Sequence, residues 1–146
     1  MENQLTISVY AIIEKDNQIL LTEDEGKSGW KLPGGLVEKK ELLLDGLVRE
    51  VKEETGLDVQ PAGLISIQNY VKSDGRTRVR MYFTTKYVGG SIRYMPGEVK
   101  GSRWVSKEDA KKLEKEDFFI EQYYLAIQEY LAGRVYPISV IRRLEV

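Results

Sequence analysis

The chain of 146 residues has no cysteine and no histidine. The first absence excludes a disulfide framework and thiolate chemistry. The second excludes a Ser-His-Asp triad and any imidazole metal site, so metal or acid/base work falls to carboxylates. An excess of one charge is also missing, since 22 Lys and Arg stand against 23 Asp and Glu. A binder of nucleic-acid polymers normally shows a strong basic excess or patch, so phosphate recognition here is expected to be local and metal-assisted. No apolar run approaches the ~20 residues of a membrane span. The opening MENQLTISVY is acidic and polar, unlike a secretory signal. These features predict a cytoplasmic protein with neither a membrane nor a nucleic-acid polymer as partner. Repeats, linkers and low-complexity stretches are lacking too, so 1–146 is expected to form a single domain with enough apolar surface for its own core.

What is present reads as strands around one central helix. LTISVYAII at 5–13 alternates as a strand, with Leu5, Ile7, Val9, Ala11 and Ile13 on one face. Asp16-Asn17 signals a turn into a second strand, Gln18 to Leu21, followed by the polar loop TEDEGKSG. Trp30 to Leu32 reads as a short strand that Pro33 stops. From about Leu42 to Thr55, Leu44, Leu47, Val48 and Val51 follow helical spacing, and Gly56 suits a C-cap.

Further strands are expected at Leu64 to Tyr70 and Thr77 to Tyr87, joined by a turn at Lys72 to Gly75. The second would carry Arg78, Arg80 and Tyr82 on one strongly basic face. After the break at Gly89-Gly90 come a loop at Met95 to Glu98, a short strand at Ser102 to Val105, and a helix start at Ser106 with Asp109. A helix from about Phe118 to Leu131 would end at Gly133, ahead of the strand-like PISVI. The order predicts an α+β or layered α/β/α domain with a mixed sheet.

The chemistry concentrates in LPGGLVEKKELLLDGLVREVKEETGL, Leu32 to Leu57. At 100° per residue, Glu50, Glu53 and Glu54 share one helix sector and are expected to face one small volume. Like charges at that spacing oppose one another, and a divalent cation would relieve them. Oxygen-only ligands favour Mg²⁺ or Mn²⁺, and the DxDxDG loop of a calcium site is missing. Such a metal leaves positions for water and phosphate oxygens, lowers the pKa of a bound water, and leaves one glutamate free to take its proton. Gly34 and Gly35 allow close backbone approach, and Glu41 can pair with Arg49 across the turn. An acidic helix face is usually just solvated surface. The fixed order argues otherwise: Gly35, five residues, Glu41, seven residues, then Arg49-Glu50-Val51-Lys52-Glu53-Glu54-Thr55-Gly56-Leu57. At ~6–7% usage per fixed identity, chance would produce it in far fewer than roughly one in a million chains.

This stretch resembles the Nudix box, the signature of hydrolases of nucleoside diphosphates linked to another moiety. Every specified position is matched from Gly35 to Leu57, and Trp30 to Gly34 and Arg103 to Ser106 resemble the family's flanking strands. The resemblance implies a Nudix fold, a mixed β-sheet in an α/β/α sandwich, and Mg²⁺-dependent attack of water on a phosphoanhydride. It makes Glu50, Glu53 and Glu54 the metal and base residues, gives Gly34 a carbonyl for a metal, and makes Glu41 and Arg49 largely structural. Family members often draw a further carboxylate from a loop outside the box, for which Glu98 is the candidate. Two positions depart from the commonest box. Lys40 stands where glycine is frequent, adding positive charge near the phosphate site, and Leu42 stands where a capping serine or threonine is frequent.

Substrate selection is less legible. Arg78 and Arg80 either bind phosphates as bidentate donors or solvate a strand face. Tyr10, Tyr70 and Tyr82 either stack on a base or pack in the core. Phe118, Phe119, Tyr123 and Tyr124 form either a packing surface or a homodimer interface. The second half, RWVSKED through GRVYPISVI, loosely resembles a bacterial Nudix phosphatase subgroup acting on nucleoside tri- and diphosphates and on pyrimidine or thiamine pyrophosphates. The expected function is hydrolysis of a phosphoanhydride in a small nucleotide-like substrate. ADP-ribose, a dinucleoside polyphosphate or an oxidised dNTP are alternative substrates. A catalytically silent nucleotide sensor on the same fold is the alternative of another class.

Overall fold

The computed structural model describes residues 5–94 and 97–146. Met95 and Pro96, read as part of a loop, lie outside the described residues. A hairpin of β1 (Leu5–Lys15) and β2 (Gln18–Asp24) opens the chain. It turns through Asp16 and Asn17 at φ 51° and 61°, the left-handed pair a tight two-residue hairpin needs. Then come β3 (Gly34–Leu36), α1 (Leu43–Thr55), β4 (Leu57–Val71), β5 (Thr77–Gly90) and β6 (Val99–Ser106). The short α2 (Lys107–Ala110), α3 (Glu121–Leu131) and β7 (Tyr136–Pro137) follow. The strands form one sheet in the order β6-β2-β1-β5-β4-β7, with β3 also paired to β1. β1 and β5 run parallel and the other pairs antiparallel, so the sheet is mixed.

Strand alternation sorts the core into two layers. Val9, Ala11 and Ile13 with Met81 and Phe83 pack under Leu47 and Val51 of α1. Tyr10, Ile12 and Tyr82 pack under Tyr123, Ala126, Ile127 and Tyr130 of α3. Helices therefore cover both faces, giving an α+β domain in the α/β/α arrangement. Full burial of Leu47 and Val51 stabilises α1 by about 1.5–3 kcal/mol each. The helix relies on that packing, because Leu42 provides no side-chain cap at its start. Its end is fixed locally by Gly56 at φ 79°, whose N–H donates to the Lys52 carbonyl.

Several elements differ from the sequence expectation. Leu5 is 51% exposed and Ile7 36%, so only Val9, Ala11 and Ile13 of the expected face are core. The segment at Trp30 to Leu32 forms only isolated bridges, and the regular strand lies beyond Pro33, on the glycines. The Pro33 carbonyl accepts from Ala11 N–H at 2.8 Å, and a Cβ on Gly34 would come within 2.1 Å of the Val9 carbonyl oxygen. β4 starts seven residues before Leu64, its alternation broken by register shifts around Pro61–Gly63.

α3 starts at Glu121, because Phe118 bridges to Trp30 and Phe119 N–H donates to the Trp30 carbonyl. PISVI contains a 3-10 turn at Ile138–Val140 in place of a strand. The expected basic face of β5 is the inner face under α3: Arg80 is 8% exposed and Tyr82 fully buried. Phe118 and Tyr123 are likewise absorbed into this chain's own core.

Candidate active site

The two glycines of β3 each seat one acid of α1. Gly34 N–H donates to Glu54 Oε2 at 3.0 Å. Burial pushes the Glu54 carboxyl up to about 7 against the restraint of that bond and of Lys31, while the charges of Glu50 and Asp24 add to the rise. A Cβ on Gly35 would lie 2.6–2.8 Å from the carboxyl atoms of Glu50, so only glycine leaves that acid its place. Burial also pushes Glu50 above the usual carboxylate range, with Arg49 opposing.

Arg49 organises the remaining acids. Its Nε and Nη2 donate to Glu41 at 2.7 and 2.9 Å, a two-pronged pair that is strong and directional. Nη2 also donates to the Leu36 carbonyl at 3.1 Å, and Nη1 to Glu50 at 3.1 Å and Glu53 at 3.2 Å. The Arg49 hydrogen bonds, helped by Glu38 N–H, hold Glu41 down at about 2. Gly46 is required beneath the pair, because a Cβ there would lie 2.8 Å from Glu41 Oε1. Lys40 sits at φ 64°. Glycine is favoured at that position for backbone reasons, and lysine adopts the left-handed turn at a cost of ~1 kcal/mol.

Glu50, Glu53 and Glu54, expected to face one small volume, are shared between two partners in the metal-free structure. Among the described residues no three acidic side chains lie close enough to hold a metal by themselves. Glu50 and Glu53 share Arg49 Nη1 while Glu54 turns to Gly34, because Arg49 stands among the acids and draws two of them to itself. Glu54 lines a cleft of about 330 Å³ with Asp24, Glu25, Lys27, Gly97, Glu98 and Val99. The Glu98 carbonyl, tied to Glu25 N–H at 3.0 Å, fixes that loop beside it. Glu53 opens on a second groove, of about 580 Å³, that also holds Lys52, Arg93 and Tyr94. An all-oxygen donor set with two desolvated carboxyls fits a hard divalent cation whose remaining ligands are carbonyls, water or substrate oxygens.

Of the residues expected to select substrate, Tyr10 lies on β1 in register with Gly34, and Arg78, Arg80, Tyr70 and Tyr82 lie on β4 and β5. Arg80 Nε donates to the Tyr82 hydroxyl at 2.9 Å, and its guanidinium lies 4.2 Å from the Tyr10 ring centroid and 4.8 Å from that of Tyr123. Tyr82 is fully buried and stacked on Tyr10 at 5.2 Å, so Tyr82 has no face free to stack on a base. Arg78 Nη1 donates to Thr6 Oγ1 at 2.6 Å, and Tyr70 is its register partner on β4. Sequence reasoning missed Asp24 and Lys31, which pair beside Glu54. The signal for Asp24 was the acidic run TEDE, which also suits a solvated loop, and Lys31 carried none in its short strand.

Comparison with known proteins identifies the family. A family model described as the NUDIX domain matches residues 2–126. An ADP-ribose pyrophosphatase from Methanocaldococcus jannaschii is 37% identical over 91 residues, which is 60% of this chain and 54% of that protein. The phosphatase NudJ of Escherichia coli K12 is 25% identical over 138 residues, covering 92% of this chain and 89% of its own. The structure of a NUDIX hydrolase from Nitrosomonas europaea superposes with a TM-score of 0.80 at 26% identity, over 95% of this chain and 97% of that one. A box held by Arg49 beside two glycine-seated acids, on a sheet of this topology and within this match, makes the chain a member of the Nudix hydrolase family.

Proposed function

We propose that the protein hydrolyses a phosphoanhydride in a nucleoside di- or triphosphate, or a related small pyrophosphate, with Mg²⁺ or Mn²⁺ as cofactor. Nudix hydrolases are generally divalent-metal enzymes acting on small phosphate substrates. In this reading Glu50, Glu53, Glu54, Glu98 and the Gly34 carbonyl are the oxygens available to the cation. When bound, the cation supplies charge neutralisation at the phosphate oxygens and acidifies a water.

The observation that carries the reading is the seating of two desolvated carboxyls against Gly34 and Gly35, one at the wall of a cleft that also holds Glu98. Glu54 at about 7 is matched to taking a proton from water near neutral pH, and Glu50 is the other candidate base. Arg49 and Glu41 act by holding Glu50 and Glu53 in place. The phosphatase NudJ matches over 92% of this chain at 25% identity and the ADP-ribose pyrophosphatase over 60% at 37%, so ADP-ribose is the alternative substrate to test.

The test is a panel of nucleotides, ADP-ribose and small pyrophosphates with Mg²⁺, Mn²⁺ or EDTA, run in ¹⁸O-labelled water with the products weighed. Phosphate release that needs the metal and falls by orders of magnitude in Glu54→Gln supports the proposal. Binding without turnover across the panel would point to the sensor reading.

A further inference from the structure

Arg80 is a buried cation that pairs with no carboxylate among the described residues. It is 8% exposed, its Nε donates to the Tyr82 hydroxyl, and its Nη2 is buried with no acceptor. Directly opposite on β4 is Gln68. Gln68 Nε2 donates to the Gln122 carbonyl at 2.8 Å, which fixes the amide orientation and leaves Oε1 buried with no donor. An orphan donor and an orphan acceptor thus sit at matched positions on neighbouring strands without bonding to each other. Each buried unsatisfied group is costly, and a charged one more so. The faces of Tyr10 and Tyr123 offset part of the cost for the guanidinium but do nothing for Gln68.

The position of this pair relates it to the acids. Arg80 is registered with Ser8 of β1, and Ser8 with Leu36 of β3. Arg80 is therefore two strand spacings, roughly 10 Å, from the strand that seats Glu54, and Gln68 three, roughly 14 Å. Arg80 and Tyr10 each keep 8% of their surface exposed, on the side of the sheet that α3 covers.

We propose that Arg80 and Gln68 are specificity-determining residues that read the edge of a heterocyclic base. Nη2 donates to a ring or carbonyl acceptor, and Oε1 accepts from the neighbouring amino or imino N–H. This rests on the nucleotide-like substrate proposed above. A phosphate would satisfy Arg80 but set its negative oxygens against Gln68 Oε1, whereas a base edge carries acceptor and donor side by side. A structural water could also bridge the two groups, but it would give no base selectivity.

The experiment measures kcat and KM for nucleoside triphosphates and for inorganic triphosphate in the wild type, Arg80→Met and Gln68→Glu. Gln68→Glu gives Arg80 an internal carboxylate in exchange for the donor to the Gln122 carbonyl, so it should hold Tm near that of the wild type and keep the fold testable if Arg80→Met unfolds. The expected result is a preference for base-bearing substrates, seen as the ratio of kcat/KM values, that falls roughly 10- to 100-fold in the variants, mainly through KM. A wild type without that preference, or variants that lower both substrates alike, would overturn the inference and leave the hydrolase reading standing. If the wild type hydrolyses neither, that reading fails and nucleoside binding decides. A nucleoside-induced rise in Tm that Gln68→Glu removes upholds the base site, and no rise in the wild type overturns it.

Discussion

Glu54 makes the stability of the metal-free protein depend on pH in an unusual direction. A carboxyl raised from 4.5 to about 7 holds its proton in the folded state after the unfolded chain has released it. The native state then binds more protons between those values, so stability is full below about 4.5 and is lost as pH rises through about 7. At about 1.4 kcal/mol per pH unit the loss is about 3 kcal/mol, or roughly 6–12 °C in Tm for a chain of this size. The assay is thermal unfolding in EDTA at pH steps from 5 to 8, repeated with Glu54→Gln, which preserves an acceptor for Gly34 N–H and removes the titration. The wild-type Tm should fall with pH while that of the variant stays comparatively flat. A divalent cation should reverse the trend, since it binds the ionised carboxylate. A wild-type Tm that is level or rising in EDTA, or a fall equally steep in Glu54→Gln, would refute this account.

Further outcomes follow from the same geometry. Gly35→Ala should nearly preserve Tm, because its Cβ meets only the movable end of Glu50, yet sharply cut turnover in a nucleotide assay. Gly34→Ala should lose about 1–3 kcal/mol or more in denaturant unfolding, because its Cβ meets the fixed Val9 carbonyl. Arg49→Met should lower Tm and activity together. It should also remove the stability that Glu41, held at about 2, provides above about 4.5 and loses as pH falls, read by acid titration of the far-UV CD signal. Leu47→Ala should cost about 2–5 kcal/mol by denaturant unfolding, the range for emptying a fully buried leucine site.

The sequence made most legible what is coded locally. α1 was readable from Leu44, Leu47, Val48 and Val51, and its end from Gly56, because helical spacing and a left-handed cap are short-range signals. The Glu41–Arg49 pair followed from charge and spacing within one segment. Long-range pairing decided the rest. Pro33 does not end a strand, because β1 accepts the glycines after it, a contact set by residues more than 20 positions away. Arg80 read as either a phosphate ligand or a solvated face, never as core, because strand alternation reveals which residues share a side but not which side a later helix covers. The three box glutamates looked convergent by helical angle alone. Which acid turned to Gly34 and which to Arg49 depended on side-chain reach, and angular position carries no information on that.

β3 is only three residues long and pairs with β1 along one side. On its other side Gly34 N–H goes to Glu54, and the Leu36 carbonyl takes a bond from Arg49. The box side chains therefore also blunt a strand edge that would otherwise offer its backbone to a neighbouring chain. Substitutions that remove Glu54 or Arg49 strip that protection, beside the loss of activity predicted for them. Loss of solubility on concentration should accompany loss of activity in Glu54→Ala and Arg49→Ala. The isosteric Glu54→Gln, which still closes the edge, should lose activity alone.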